Sequence, residues 1–92
     1  MQQQYRGKVV WITGASAGMG RALAREYARR GADVAVSARR LDRLEEVVNE
    51  IDASGRRGLA VACDVTQDED VARAVDEVLA RFGRLDVAIA NA

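Results

Sequence analysis

The residues with the clearest capacity for chemistry lie in one short run, Thr13-Gly14-Ala15-Ser16-Ala17-Gly18-Met19-Gly20, between an apolar stretch and an amphipathic one. A run of this kind opening a helix can hold an anion. The first helical N–H groups have no intrahelical partner, and the helix dipole is positive at that end. Gly14 permits a sharp turn out of a strand, Gly18 withholds a Cβ where a pyrophosphate would approach, and Gly20 allows the helix to pack close to a sheet. Ser16 can donate its hydroxyl to a phosphate or to the loop, and Met19 can lay an apolar side chain over a bound ligand. The plain alternative is a tight strand-to-helix turn with no ligand.

Three further groups follow later apolar runs: Ser37-Ala38-Arg39-Arg40, Cys63-Asp64-Val65 and Ala90-Asn91-Ala92. An acid at the end of a second strand would accept from a ribose 2′-OH, but Ala38 stands where that acid is expected. Arg39 follows it with a guanidinium able to pair bidentately with phosphate, Arg40 adds a second, and Ser37 can donate a further hydrogen bond. The competing reading is a solvated arginine pair with Asp42 neutralising one of them. Asp64 alone reads equally as a loop acid capping the next helix, and Asn91 as a turn residue tying loop to sheet. Their joint placement at the ends of successive strands favours a ligand, because open α/β sheets bind ligands there.

The elements that must position these groups show in the hydrophobic pattern. Val9 to Thr13, Val34 to Ser37, Leu59 to Cys63 and Leu85 to Ala90 are short apolar runs, the pattern of parallel strands covered on both faces. Between them Met19, Leu23 and Tyr27, then Leu41, Leu44, Val48 and Ile51, then Val71, Val75, Val78 and Phe82 recur at helical spacing, each set predicting an apolar stripe toward the sheet. Gly31, Gly55 and Gly83 follow the three helical segments as C-caps, and Thr66-Gln67-Asp68-Glu69 reads as a capping box for the third helix. Strict alternation predicts an α/β fold: a partial Rossmann-type doubly wound parallel sheet of four strands and three helices, in the order 3-2-1-4.

Composition narrows the function classes. Ninety-two residues suit one domain, and 14 basic against 14 acidic residues give net charge zero, with no global field toward nucleic acid or an anionic membrane. No apolar run approaches the roughly 18 residues of a membrane span. A single cysteine, Cys63, forms no internal disulfide, and its apolar neighbours predict a buried thiol in a reducing compartment. The expectation is a soluble, cytoplasmic chain without a nucleic-acid or membrane partner. Histidine is absent, so a His-centred relay or His metal site is excluded.

The spacing Thr-Gly-x-x-x-Gly-x-Gly differs from the ordinary Gly-x-Gly-x-x-Gly fingerprint, and the Gly-Lys-Ser/Thr of a P-loop is missing. Here the chain resembles the single-domain branch of the short-chain dehydrogenase/reductase family, from about Gly7 to Ala92. The resemblance implies that the glycine run is a cofactor loop. It implies that Asp64 accepts from the adenine amino group while Val65 lines the adenine pocket, and that Ala90-Asn91-Ala92 begins the family's Asn-Ala-Gly. A basic residue at Arg39 goes with NADP in that family, although many such relatives also carry one just before the second motif glycine, where this chain has Ala17. NADP(H) is therefore favoured, with NAD(H) the alternative.

In the family, hydride transfer uses a Ser and a Tyr-x-x-x-Lys pair, the lysine lowering the tyrosine pKa. Neither has a match: Gly31 stands four after Tyr27, Val9 four after Tyr5, and the only lysine, Lys8, opens the first strand. No catalytic residue is assigned within residues 1–92. The expectation is one partial dinucleotide-binding domain, the N-terminal portion of a longer oxidoreductase whose catalytic second half is absent, inactive alone and exposing an edge at Leu85 to Ala90. The resemblance implies a small carbonyl or alcohol substrate and a homo-oligomer. Two alternatives stay open: a stand-alone nucleotide-binding or interaction module without catalysis, and an S-adenosylmethionine methyltransferase, which fits the loop poorly and wants an acid where Arg39 stands.

Overall fold

Apolar runs this short can be covered on both sides only as strands between helices, and that is the architecture of the computed structural model, which describes residues 4–91. Its strands are β1 (Val9–Thr13), β2 (Asp33–Ala38), β3 (Gly58–Ala62) and β4 (Val87–Ile89). They alternate with α1 (Gly18–Arg29), α2 (Leu44–Ala53) and α3 (Asp68–Phe82), and a 3₁₀ turn over Leu41–Arg43 leads into α2. All pairings are parallel and the order is β3-β2-β1-β4, as predicted. Thr13 lies opposite Ser37 and Ile12 opposite Ile89, so the ends that carry the candidate site residues come together. After three strands laid down in one direction, α3 returns the chain to the other side of β1. That reversal opens a crevice at the strands' carboxyl ends.

Two cores flank the sheet. Val10, Ile12, Val34 and Val36 pack with Ala24 and Ala28 of α1 and Leu44, Val47 and Ile51 of α2. On the other face Val9, Trp11, Ala35, Val61 and Cys63 pack with Ala74 and Val78 of α3. The helix faces differ from the predicted stripes. The buried line of α1 is Gly20, Ala24 and Ala28; Leu23 and Tyr27 flank it, and Met19 is 71% exposed. Small side chains let this helix lie close to the sheet, and close approach replaces bulk as the source of contact. Leu41 of the second stripe is likewise exposed, while Val47, outside that stripe, is buried.

Gly31, Gly55 and Gly83 all adopt positive φ after their helices, as C-caps do. The capping box is not formed. Gln67 is the N-cap residue of α3 and its side chain makes no cap. The Thr66 hydroxyl instead donates to Asp64 Oδ1 at 2.6 Å, and Asp70 in the first turn accepts from the Asp64 N–H at 2.9 Å. An aspartate two residues upstream offers Thr66 a local turn that outcompetes the cap. Among the described residues no helix is long and apolar enough to cross a membrane, and the far edge of β4 has no partner strand.

Candidate functional site

The glycine run is a turn built around contacts that side chains would obstruct. Gly14 leaves β1 at φ 62°, and a Cβ there would run into the Asn91 carbonyl. A Cβ on Gly20 would run into the Gly14 carbonyl and stand 2.8 Å from Asn91 Nδ2. Gly20 thus lets α1 settle on the loop and the segment after β4, in addition to lying on the buried face of the helix. Gly18 differs from both: its φ is 61°, yet a Cβ would meet nothing within 4 Å. The space before it is open at the first residue of α1.

That helix end is also electrostatically distinct. Its N-cap residue, Ala17, supplies no side-chain hydrogen bond, and its first turn holds no acid. The first turn of α2 carries Glu45 and Glu46, and that of α3 carries Asp68, Glu69 and Asp70. Of the three, α1 alone presents its N-terminal donors without an acidic side chain to offset them, the condition an anion requires.

Hydrogen bonds from both neighbouring strands fix the loop. The Asn91 side-chain amide donates to the Gly14 carbonyl at 3.1 Å, and the Asn91 N–H donates to Thr13 Oγ1 at 3.2 Å. On the other side the Ala15 N–H donates to the Ser37 carbonyl at 3.1 Å. Asn91 is therefore tied to the loop, as its turn reading expects. Thr13 and Ala15, to which the spacing assigns no role beyond the motif, complete the frame.

Ser37 departs from expectation. Its side chain is wholly buried on the α3 side of the sheet, where its hydroxyl accepts from Trp11 Nε1 at 2.8 Å. It cannot reach a phosphate in that position, and its contribution to the site is the backbone carbonyl. Ser16 is half-buried in the loop with no hydrogen-bond partner for its hydroxyl among the described residues. Ala92 lies outside the described residues.

Beyond β2, Arg39 is exposed and makes no ion pair among the described residues, whereas Arg40 reaches Asp42 at 3.7 Å with both side chains exposed. The solvated pairing thus applies to Arg40 and leaves Arg39 available. Asp64 Oδ1 accepts from the Thr66 hydroxyl and, at 3.0 Å, from the Thr66 N–H. Those donors, with a smaller effect of the Arg39 charge, hold its carboxyl below the usual range, so it is ionised at neutral pH. Val65 is 54% exposed and borders a cleft of about 260 Å³ that it shares with Trp11, Thr13, Val71, Ala90 and Asn91. A larger hollow of about 550 Å³ is walled by Asp64, Thr66, Gln67, Asp68, Glu69 and Asp70, a lining that repels phosphate. Cys63 is buried on the α3 face, and burial pushes its thiol pKa up.

An uncapped helix end that begins at Gly18 and Gly20 after the Gly14 turn, an available arginine after β2 and an asparagine tying β4 to the loop form one arrangement at the sheet's carboxyl edge. The sequence model for short chain dehydrogenase matches residues 8–92. The chain belongs to the short-chain dehydrogenase family. It is 49% identical over 81 residues to the A-factor type gamma-butyrolactone 1'-reductase (1S-forming) of Streptomyces virginiae, covering 88% of this chain and 32% of that protein. It is also 49% identical over 87 residues to the 11-beta-hydroxysteroid dehydrogenase 1A of Arabidopsis thaliana, covering 94% of this chain and 25% of that one.

Among solved structures, this short-chain dehydrogenase sequence matches the hydroxysteroid dehydrogenase of Escherichia coli at TM-score 0.94 and 34% identity, over 99% of this chain and 39% of that one. A metagenomic short-chain oxidoreductase solved in complex with NADP matches at TM-score 0.84 and 40% identity, over 90% and 38%. The chain thus spans between a quarter and a third of the length of these two curated relatives. The two curated relatives are by name a reductase and a dehydrogenase.

Proposed function

We propose that this chain is the NADP(H)-binding portion of a short-chain reductase or alcohol dehydrogenase acting on a small carbonyl or alcohol compound. The observation that carries the reading is Arg39, exposed and without an ion pair among the described residues, beyond a β2 whose last residue is Ala38. The open space before Gly18 and the uncompensated start of α1 fit a pyrophosphate. Gly18, Met19 and Gly20 would receive it through backbone N–H groups, Arg39 would pair with the 2′-phosphate, and Arg40 would add positive potential. Asp64 would accept from the adenine amino group beside Val65, with Met19 covering the cofactor from the helix. Ser16 would donate to a phosphate oxygen.

The nicotinamide ring supplies the hydride chemistry when bound. The chain's own residues bind, orient and charge-match; none of the 92 supplies a Tyr-x-x-x-Lys acid/base. In this reading residues 1–92 form one partial domain, catalysis rests on a second half outside them, and the whole protein is a cytoplasmic homo-oligomer. Calorimetric titration with NADPH, NADH and S-adenosylmethionine tests the proposal. NADPH is expected to bind most tightly.

A further inference from the structure

Trp11 is the chain's single tryptophan. It sits on the α3 face of β1, 6% exposed, with its indole N–H donating to the hydroxyl of the fully buried Ser37 at 2.8 Å. A hydroxyl and an indole N–H within an apolar face satisfy each other; separated, each would be a buried polar group lacking this partner. Among the described residues no buried side-chain polar atom is left without any partner, and for the Ser37 hydroxyl the partner is this indole N–H.

The pair's position gives it a reach beyond packing. Ser37 is the residue through which β2 holds the glycine loop, since its carbonyl accepts the Ala15 N–H at 3.1 Å. Two residues later the chain has left the sheet at Arg39. Trp11 precedes by two the threonine whose hydroxyl receives the Asn91 N–H, and its ring lines the cleft beside Val65. Resting on the cofactor reading above, we propose that Trp11 is a positioning residue for NADP(H). By holding Ser37 it fixes both the Ala15 turn under the pyrophosphate and the exit of β2 that aims Arg39 at the 2′-phosphate. Disturbing Ser37 moves the first contact for either nicotinamide dinucleotide and the second for the phosphorylated one alone. The signature of the role is therefore a change in preference between them.

The test compares Trp11→Phe, which keeps an aromatic ring and removes the donor, with Trp11→Phe/Ser37→Ala, which also removes the orphaned hydroxyl. NADPH and NADH affinities are measured by calorimetry well below each variant's unfolding midpoint. Trp11→Phe is expected to weaken NADPH about tenfold and NADH about threefold, and the double variant, in which residue 37 is equally unheld, to keep that narrowed preference while regaining stability. Ser37→Ala alone orphans the indole N–H and is expected to narrow the preference in the same sense, which keeps the test available if Trp11→Phe does not fold. Equal losses for the two dinucleotides, or a lowered midpoint with unchanged affinities, overturn the proposal. A parent chain that binds neither dinucleotide overturns the cofactor reading and this proposal with it.

Discussion

Asn91 Nδ2 donates to the Gly14 carbonyl across 3.1 Å, joining two residues 77 positions apart at the place where β1 turns into the glycine loop. The bond is partly buried, and the same asparagine also donates its backbone N–H to Thr13. The loop's shape is thus set by the segment after β4 as much as by its own glycines.

Asn91→Ala removes the side-chain donor while leaving the backbone contact to Thr13. A cost of about 1–2 kcal/mol in urea unfolding is expected, the penalty of a half-buried carbonyl losing its partner. Asn91→Asp is expected to cost more, because an ionised carboxylate would face the Gly14 carbonyl. Equal stability of Asn91→Ala and the parent would show that the bond contributes nothing to holding the loop.

Gly18 and Gly20 separate binding from folding. Gly20→Ala forces a methyl into the Gly14 backbone, so α1 must shift, and a loss of about 2 kcal/mol or more is expected in urea unfolding. Gly18→Ala meets no atom and carries only the cost of a positive φ, about 1 kcal/mol. Yet its methyl enters the space assigned to the pyrophosphate, so NADPH affinity is expected to fall at least tenfold in calorimetry. If Gly18→Ala binds as tightly as the parent, the pyrophosphate does not lie there.

Acid sensitivity is expected at the other end of the sheet. Asp86 accepts from the Arg84 guanidinium and from the Val9 N–H, and these donors hold its carboxyl below the usual range. Burial opposes ionisation of Asp33, but hydrogen bonds and charge from Arg57 outweigh it, and its pKa is also lowered. A lowered folded-state pKa means stability that is complete above the unfolded value near 4 and is lost as the pH falls through the folded value. Urea midpoints measured from pH 7 down to about 2 should fall in that acid range. Asp86→Asn should lower the midpoint at pH 7 and flatten the acid slope, and an unchanged slope would remove Asp86 from the cause.

The sheet order and the glycine loop were legible because their signals are local: apolar runs, glycines at their ends and the spacing within one turn. Side-chain roles with distant partners were not. Ser37 reads as a ligand donor until Trp11, 26 positions away, is found to occupy its hydroxyl. The sheet-facing side of α1 was hidden because hydrophobic periodicity favours large residues such as Met19, whereas Gly20, Ala24 and Ala28 make the close contact. At Thr66 the capping pattern was present, but Asp64 competed for the same groups. Which of Arg39 and Arg40 Asp42 would neutralise was open in the sequence, and the pairing of Asp42 with Arg40 decides it.

The central claim is that the start of α1 and Arg39 together hold a 2′-phosphorylated dinucleotide. Its most direct measurement is calorimetric titration of the parent and Arg39→Asp with NADPH and NADH. The parent is expected to bind NADPH at least tenfold more tightly than NADH, and Arg39→Asp to reverse that order. Equal affinities in the parent, or a preference that survives Arg39→Asp, would contradict it.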